Sequence, residues 1–189
     1  MSARAGRLDA LYRRDPDPWD YATSAYEREK YDRTLASLGN RRFRRVLEVG
    51  CSIGVLSGRL AGIADEFLGI DVSEVAVAHA RERNRDQGNA VFEVLEVPCV
   101  WPEGRFDLIV LSEVLYFMAR AEVEDVAALV ERSLSADGIW LCINWLGPTE
   151  QALQGNEARA LFVASLPAPF DLTLENRARY EIAVGSRPR

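Results

Sequence analysis

The chain has 189 residues, of which 48% are hydrophobic and 28% are charged, and its formal net charge is −6. This composition is typical of a single globular domain with a sizeable core, and the acidic balance provides no basic surface for DNA or RNA, so we expect no nucleic-acid partner. The N-terminus lacks the apolar segment of a secretion signal and no stretch is long enough to cross a membrane, so we expect a cytoplasmic protein without a membrane partner.

Residues 1–40 are predicted to be an N-terminal arm and a lid helix that belong to the same domain as the rest of the chain. Residues 1–24 are predicted to be a polar arm and loop, because the two prolines within residues 15–19 would stop a helix. Ser24 and Glu27 have the spacing of a capping box. This pattern predicts a helix that starts near Ala25.

Residues 41–189 are predicted to form one domain in which strands and helices alternate. Apolar runs predict strands at 45–49, 67–70, 91–95, 106–111 and 139–146, with an Asp-Gly turn at 137–138 before the last of these. Helices are predicted after Gly54, from Ser73 to about residue 86, and over 121–134 and 156–165. The runs 170–174 and 179–185 predict an antiparallel hairpin. We therefore expect an α/β fold with a Rossmann-like, doubly wound, seven-stranded sheet that is mostly parallel and ends in that hairpin.

The most informative stretch is Glu48-Val49-Gly50-Cys51-Ser52-Ile53-Gly54, which ends an apolar run and is followed by Asp71 about twenty residues later. A strand, a glycine turn, a helix and a second strand that ends in an acid form a unit that can hold a nucleoside. The glycines let the backbone approach a ligand, and Asp71 is expected where a ribose diol would lie. The alternative is an ordinary β–α turn with incidental glycines.

The residues of this turn indicate which kind of nucleoside-containing ligand it binds. Ser52 and Val55 occupy the second and third glycine positions of the hydride-cofactor fingerprint, and no Gly-Lys-Ser/Thr of a phosphate-binding loop follows. Glu48 would repel a pyrophosphate but suits a cationic ligand that carries an ammonium and a sulfonium. The stretch therefore resembles motif I of class I S-adenosylmethionine (SAM) methyltransferases, and Asp71 looks like their ribose-binding acid.

Ligands of open α/β sheets bind at the carboxyl ends of the strands. Methyltransferases usually place an acid against the adenine amino group after the third strand, where Glu96 and Val97 lie here; a solvated loop acid is the alternative for Glu96. After the fourth strand, Ser112 is either a ligand contact or a cap. The candidate cofactor-binding residues are Tyr26, Lys30, Tyr31, Glu48, Gly50, Cys51, Ser52, Gly54, Asp71, Val72, Glu96, Val97 and Ser112.

Glu113 and Tyr116 are the candidate catalytic residues, because they follow a fully apolar strand at the expected mouth of the pocket. A carboxylate at Glu113 could orient an acceptor amine or take its proton. The alternative is that Glu113 only accepts hydrogen bonds from a loop backbone.

Residues 19–31 combine aromatic and charged side chains, which core packing alone does not explain. A lid over the cofactor does explain this composition, with Lys30 or a tyrosine hydroxyl reaching the methionine carboxylate. A plain structural cap is the alternative.

The same segment resembles a narrower family. The pattern Asp17-Pro18-Trp19-x-Tyr21-x-x-Ser24-x-Tyr26-Glu27-x-x-Lys30-Tyr31 is similar to the N-terminus of NodS-type methyltransferases, and the resemblance continues through Ser112-Glu113-Val114-Leu115-Tyr116. It covers residues 15–147 well and the remainder weakly. The family N-methylates the terminal glucosamine of a chitooligosaccharide. The resemblance therefore implies SAM as methyl donor, S-adenosyl-L-homocysteine as product, and a small-molecule acceptor such as an amino sugar.

Other functions stay open from the sequence. A small-molecule O-methyltransferase and a non-catalytic SAM-binding protein would use the same scaffold, whereas a nicotinamide dehydrogenase is disfavoured by the missing glycines. Cys51, Cys99 and Cys142 are too far apart for a disulfide framework or an iron–sulfur cluster, and His79 is interpreted as structural, so no metal is expected.

Overall fold

The computed structural model describes residues 2–188, which divide into two compact units, residues 2–96 and 97–188. The helices are α1 (Ala3–Arg14), α2 (Ala25–Ser37), α3 (Val55–Ala61), α4 (Glu74–Arg83), α5 (Arg120–Ser133) and α6 (Gly155–Ser165), with a 3-10 turn at Leu115–Phe117. The strands are β1 (Phe43–Val49), β2 (Ala64–Asp71), β3 (Ala90–Val94), β4 (Phe106–Ser112), β5 (Leu134–Trp145), β6 (Asp171–Asn176) and β7 (Tyr180–Ser186). The strand order in the sheet is β3-β2-β1-β4-β5-β7-β6, which confirms the predicted seven-stranded α/β fold.

The first unit contains three parallel strands, because β2 pairs with both β1 and β3 and each connection runs through a helix. Leu47 of β1 and Ile70 of β2 are completely buried, as apolar strands covered on both faces should be. The register pairs Val49 with Ile70, so β1 and β2 end beside each other. The residues that follow these two strands therefore lie at one edge of the sheet.

The second unit combines a parallel pair with the predicted hairpin. β4 and β5 are parallel, and β7 pairs antiparallel with both β5 and β6. The register shifts between Phe106, which faces Leu134, and Leu108, which faces Ile139. The Asp-Gly pair at 137–138 therefore lies at an irregularity inside β5, and the prediction of a separate turn before this strand is wrong.

The prediction that residues 1–24 are an arm and loop is wrong, because Ala3–Arg14 form helix α1. The Ser2 hydroxyl caps this helix by accepting a hydrogen bond from the Ala5 amide at 3.1 Å. Its buried side carries Asp9 as well as Ala5 and Tyr12. An acid on the buried side hides the apolar period from which a helix is normally predicted.

Helix α2 starts at Ala25 as predicted, but the prediction that Ser24 and Glu27 form a capping box is wrong. The Ser24 hydroxyl makes no capping hydrogen bond. Glu27 is instead paired with Lys30, one turn further along the helix.

Among residues 2–188, no helix has the length and apolar character needed to cross a membrane.

Candidate functional site

The turn after β1 takes the left-handed backbone conformation at three of its residues. The φ angles are +84° at Gly50, +49° at Ser52 and +77° at Gly54. Serine is uncommon in this region, so Ser52 holds a glycine-like conformation at the position where the hydride-cofactor fingerprint has glycine. A Cβ atom at Gly54 would lie 2.9 Å from the Cβ of Ala80, so helix packing as well as the turn requires this glycine.

Asp71 ends β2 and ties this turn to the start of the next helix. Its Oδ2 accepts a hydrogen bond from the Ser52 amide at 3.0 Å, and its Oδ1 accepts one from the Ser73 amide at 2.9 Å. Burial raises the pKa of the Asp71 carboxyl, and the backbone hydrogen bonds from Ser73, Ser52 and Val72 oppose that rise. The half-buried carboxylate is therefore held rigidly in the loop.

Glu48 lies beneath the turn, with only 1% of its surface exposed. Its Oε2 accepts a hydrogen bond from the Ser57 hydroxyl at 2.5 Å, which fixes helix α3 to β1. Burial, together with the negative charges of Asp71 and Glu48, raises the pKa of the Cys51 thiol well above its ordinary value. Cys51 is therefore a neutral apolar contact at the turn and not a nucleophile.

Helix α1, which the sequence analysis missed, is bonded to the loops after β1 and β2. The Tyr12 hydroxyl lies 2.6 Å from the Ser52 hydroxyl, so the two form a hydrogen bond. Asp9 Oδ1 accepts a hydrogen bond from the Ser73 hydroxyl at 2.7 Å. Burial and the nearby charge of Asp71 raise the pKa of Tyr12, so its phenol stays protonated.

The same helix also reaches the loop after β3. Arg4 Nη2 lies 4.0 Å from Glu96 Oε1, and the Glu96 side chain is only partly exposed. The predicted adenine-contacting acid therefore already has a cation beside it, and it is not simply a solvated loop residue. The spacing of Ala5, Asp9 and Tyr12, at i, i+4 and i+7, was the signal that could have revealed this helix face.

The aromatic and charged residues of the predicted lid surround one lysine. Lys30 is only 2% exposed, and its Nζ lies 2.7 Å from the Glu27 carboxylate. The ring centroids of Tyr21, Tyr26 and Tyr31 lie 5.9, 5.4 and 5.7 Å from that Nζ. The rings can stabilise the ammonium through cation–π contacts. This arrangement explains the mixed composition of the segment, and the predicted contact with the methionine carboxylate stays a prediction.

In the second unit, the structure brings the two predicted catalytic residues together. The Tyr116 hydroxyl donates a hydrogen bond to Glu113 Oε2 at 2.8 Å. The Glu113 amide donates to the Ile143 carbonyl at 2.9 Å, and Glu113 has a φ of +53°. A non-glycine residue in this conformation costs free energy, of the kind that proteins often retain at functional sites. The side chain of Glu113 is thus held by a tyrosine hydroxyl in a defined orientation.

The remaining predicted residues lie at strand ends or in the loops that follow them. Val72 is half-buried and directly follows Asp71. Val97 is buried and begins the second unit. Ser112 is half-buried at the end of β4, where it pairs with Ile143 of β5.

Comparison with known proteins places these features in a family. The family model described as Nodulation protein S (NodS) matches residues 7–141. The Nodulation protein S of Sinorhizobium fredii (strain NBRC 101917 / NGR234) is 35% identical over 114 residues, which are 60% of this chain and 50% of that protein. The chain spans about half the length of the curated relatives it matches.

Two solved structures have the same fold. A Pseudomonas syringae protein, provisionally assigned as a methyltransferase, has a TM-score of 0.74 and 32% identity, with 87% of this chain and 100% of that chain covered. The N-methyltransferase NodS of Bradyrhizobium japonicum WM9, in complex with S-adenosyl-L-homocysteine, has a TM-score of 0.75 and 20% identity, with 100% of both chains covered.

Proposed function

The chain belongs to the nodulation protein S family, and we propose from this premise that it is a SAM-dependent methyltransferase that N-methylates a small polar amine. The observation that carries the proposal is the Asp71 carboxylate, held between the Ser52 and Ser73 amides at the end of β2. We further propose that the acceptor is an amino sugar or a glucosamine-containing oligosaccharide, the class suggested by the family, and that the protein acts in the cytoplasm.

The residues after β1 and β2 fit the nucleoside part of SAM. Each carboxylate oxygen has two lone pairs. Asp71 Oδ1 accepts from the Ser73 amide and Oδ2 from the Ser52 amide, and the lone pairs that remain give the carboxylate acceptor capacity for the ribose hydroxyls. Gly50, Cys51 and Gly54 complete the turn that approaches the nucleoside. Glu48 contributes a buried negative charge that suits a cationic ligand.

Residues 1–40 are proposed to close over the cofactor, with residues 41–189 as the methyltransferase domain. The support is that α1 contacts each of the three loops that follow β1, β2 and β3. It hydrogen-bonds to Ser52 in the first loop and to Ser73 in the second, and its Arg4 lies beside Glu96 in the third. Lys30, or a hydroxyl of the tyrosines around it, is proposed to bind the methionine carboxylate. Ordering of this segment on cofactor binding would exclude water from the reaction.

Glu113 and Tyr116 are proposed to act on the acceptor. SAM supplies a methyl group already activated on a sulfonium, so the protein must mainly position the acceptor and remove one proton. As the acceptor nitrogen forms its bond to the methyl carbon, the carbon–sulfur bond breaks with its electron pair left on sulfur. The surplus proton on nitrogen passes to the Glu113 carboxylate. Tyr116 orients that carboxylate through its hydroxyl.

The test is transfer of a labelled methyl group from SAM to glucosamine or to glucose, which differ in one amine. Transfer to glucosamine alone supports the proposal, and the Asp71→Asn variant should then lose it. Asp65→Asn is the matched control, because Asp65 lies on the same strand, is exposed, and forms its ion pair with Arg42. Transfer to glucose would identify an O-methyltransferase. Tight SAM binding without transfer to either sugar, or to a panel of small amines, would identify a non-catalytic SAM-binding protein.

A further inference from the structure

The second unit contains a buried polar cluster formed by Asn144 of β5, Arg159 of α6 and Glu181 of β7. Arg159 Nε lies 2.8 Å from Glu181 Oε1. Asn144 faces Glu181 in the antiparallel register, and its Nδ2 donates to Glu181 Oε1 at 3.4 Å and to Cys142 Sγ at 3.0 Å. The three side chains therefore meet on one oxygen atom of Glu181.

This cluster is a poor device for stability. The two charges of a buried ion pair lose their hydration, and well-packed apolar side chains in the same place often stabilise a protein equally well or better. A buried ion pair is therefore weak evidence of a role in stability. Glu181 is only 2% exposed and Asn144 is completely buried. Asn144 Oδ1 in addition has no hydrogen-bond partner within residues 2–188. Buried acceptors in this state are rare in folded proteins.

The cluster also has polar atoms that form no hydrogen bond within residues 2–188. Arg159 contacts Glu181 through Nε, and within residues 2–188 its two terminal nitrogens bind no other side chain. Glu181 uses Oε1 for both of its hydrogen bonds, so Oε2 accepts none from the described residues. The Arg159 side chain is 17% exposed and that of Glu181 only 2%, so a ligand would approach Glu181 Oε2 past the Arg159 guanidinium on the α6 side. The two terminal Arg159 nitrogens are hydrogen-bond donors, and Glu181 Oε2 beside them is an acceptor.

The cluster lies next to the residues proposed to act on the acceptor. The Ile143 carbonyl, one residue before Asn144, accepts the hydrogen bond of the Glu113 amide. Helix α6 packs against both β5 and the 3-10 turn that carries Tyr116. Burial raises the pKa of the nearby Cys142 thiol; the charges of Glu181 and Glu113 add to that rise, whereas the Asn144 hydrogen bond and the charge of Arg159 oppose it.

We propose that Arg159 and Glu181 recognise neighbouring hydroxyl groups of the methyl acceptor and that Asn144 holds Glu181 in place for this contact. The inference rests on the proposed function and assigns specificity-determining residues to it. A hydroxyl group both donates and accepts, so two adjacent hydroxyls can satisfy the Arg159 nitrogens and Glu181 Oε2 together. Because the pair is neutral as a whole, Glu181 disfavours an anionic group and Arg159 disfavours a cationic one at the same place.

The test uses the double variant Arg159→Gln with Glu181→Gln. Removing one partner alone would leave a buried charge and unfold the protein, whereas the double change removes both charges and keeps polar side chains that can bond to each other. The probes are glucosamine, which carries adjacent hydroxyls; cyclohexylamine, which carries the amine on a ring of similar size without hydroxyls; and phosphoethanolamine, which carries an anion. KM and kcat are measured for each, with SAM affinity and thermal midpoint as readouts of the fold.

Recognition of hydroxyls predicts that the wild type prefers glucosamine and that the variant raises its KM by about tenfold or more, the effect of losing one or two hydrogen bonds. The KM for cyclohexylamine should change less than about twofold, with kcat and SAM affinity preserved. Equal changes for glucosamine and cyclohexylamine, or a lowered thermal midpoint with unchanged KM, would overturn the inference and leave the methyltransferase intact. A wild-type preference for phosphoethanolamine that the variant abolishes would also overturn it. No turnover of any amine by the wild type would instead refute the proposed function.

Discussion

The Tyr12 hydroxyl lies 2.6 Å from the Ser52 hydroxyl, which joins the N-terminal helix α1 directly to the turn after β1. Tyr12 also packs in one apolar cluster with Ile53 of the same turn. Tyr12→Phe removes the hydrogen bond and should loosen the proposed lid, while it keeps this cluster and the aromatic packing against Trp19. We expect S-adenosyl-L-homocysteine affinity to fall by about 0.5–1.5 kcal/mol, the usual net value of one hydrogen bond.

Calorimetric titration measures this change, and a double-mutant cycle with Ser52→Ala assigns it. If the two hydroxyls act through each other, the double variant should lose no more affinity than either single variant. Additive losses would mean that each hydroxyl contacts the cofactor separately. Unchanged affinity in Tyr12→Phe would remove α1 from the lid.

Asp9 should contribute to folding more than an ordinary helix acid does. It is buried and accepts hydrogen bonds from the Ser73 hydroxyl and the Val75 amide, so Asp9→Ala leaves one buried and one partly buried donor without their acceptor. We expect the free energy of unfolding to fall by about 1–3 kcal/mol in urea denaturation. Asp65→Ala is the control, since its exposed ion pair with Arg42 should be worth less than about 1 kcal/mol. Equal losses in the two variants would contradict a structural role for Asp9.

Elements with a regular local pattern could be predicted from the sequence, and contacts between distant residues could not. The start of α2 at Ala25 and the β6–β7 hairpin follow from spacing and alternation, which are local properties. Helix α1 was missed because its buried acid, Asp9, is explained by hydrogen bonds from Ser73 and Val75, which lie 64 and 66 residues away. The turn residues were predicted from glycine spacing, but the left-handed backbone of Ser52 depends on the Asp71 carboxylate that binds its amide.

Cofactor binding should weaken in mild acid because of Asp71. Burial is the main cause that raises the pKa of this carboxyl above its ordinary value of 3.8. The part of the unfolding free energy linked to this proton is therefore fully present below pH 3.8 and lost as pH rises through the folded pKa. Binding of the ribose needs the ionised form, so its pH dependence runs in the opposite direction.

We expect S-adenosyl-L-homocysteine affinity to fall as pH decreases through a range above the ordinary carboxylate range. Titrations that extend upward from pH 3.8 should show this decrease in the wild type but not in Asp71→Asn, which cannot titrate. Asp65→Asn should retain the wild-type profile. A decrease that persists unchanged in Asp71→Asn would assign the titration to another group.

Glu113 should be needed for turnover and not for cofactor binding. Glu113→Gln keeps the size of the side chain and an oxygen that can accept from the Tyr116 hydroxyl, but it cannot take up a proton. We expect kcat to fall by about 10²–10⁴-fold, the usual contribution of a general base, with S-adenosyl-L-homocysteine affinity within about twofold of the wild type. Glu124→Gln, on the exposed face of α5 in the same unit, is the matched control and should retain full activity. Tyr116→Phe should give a smaller loss of kcat than Glu113→Gln, because it frees the carboxylate without removing it. Parallel losses of cofactor affinity and kcat in Glu113→Gln would show that this carboxylate binds the cofactor and does not act on the acceptor.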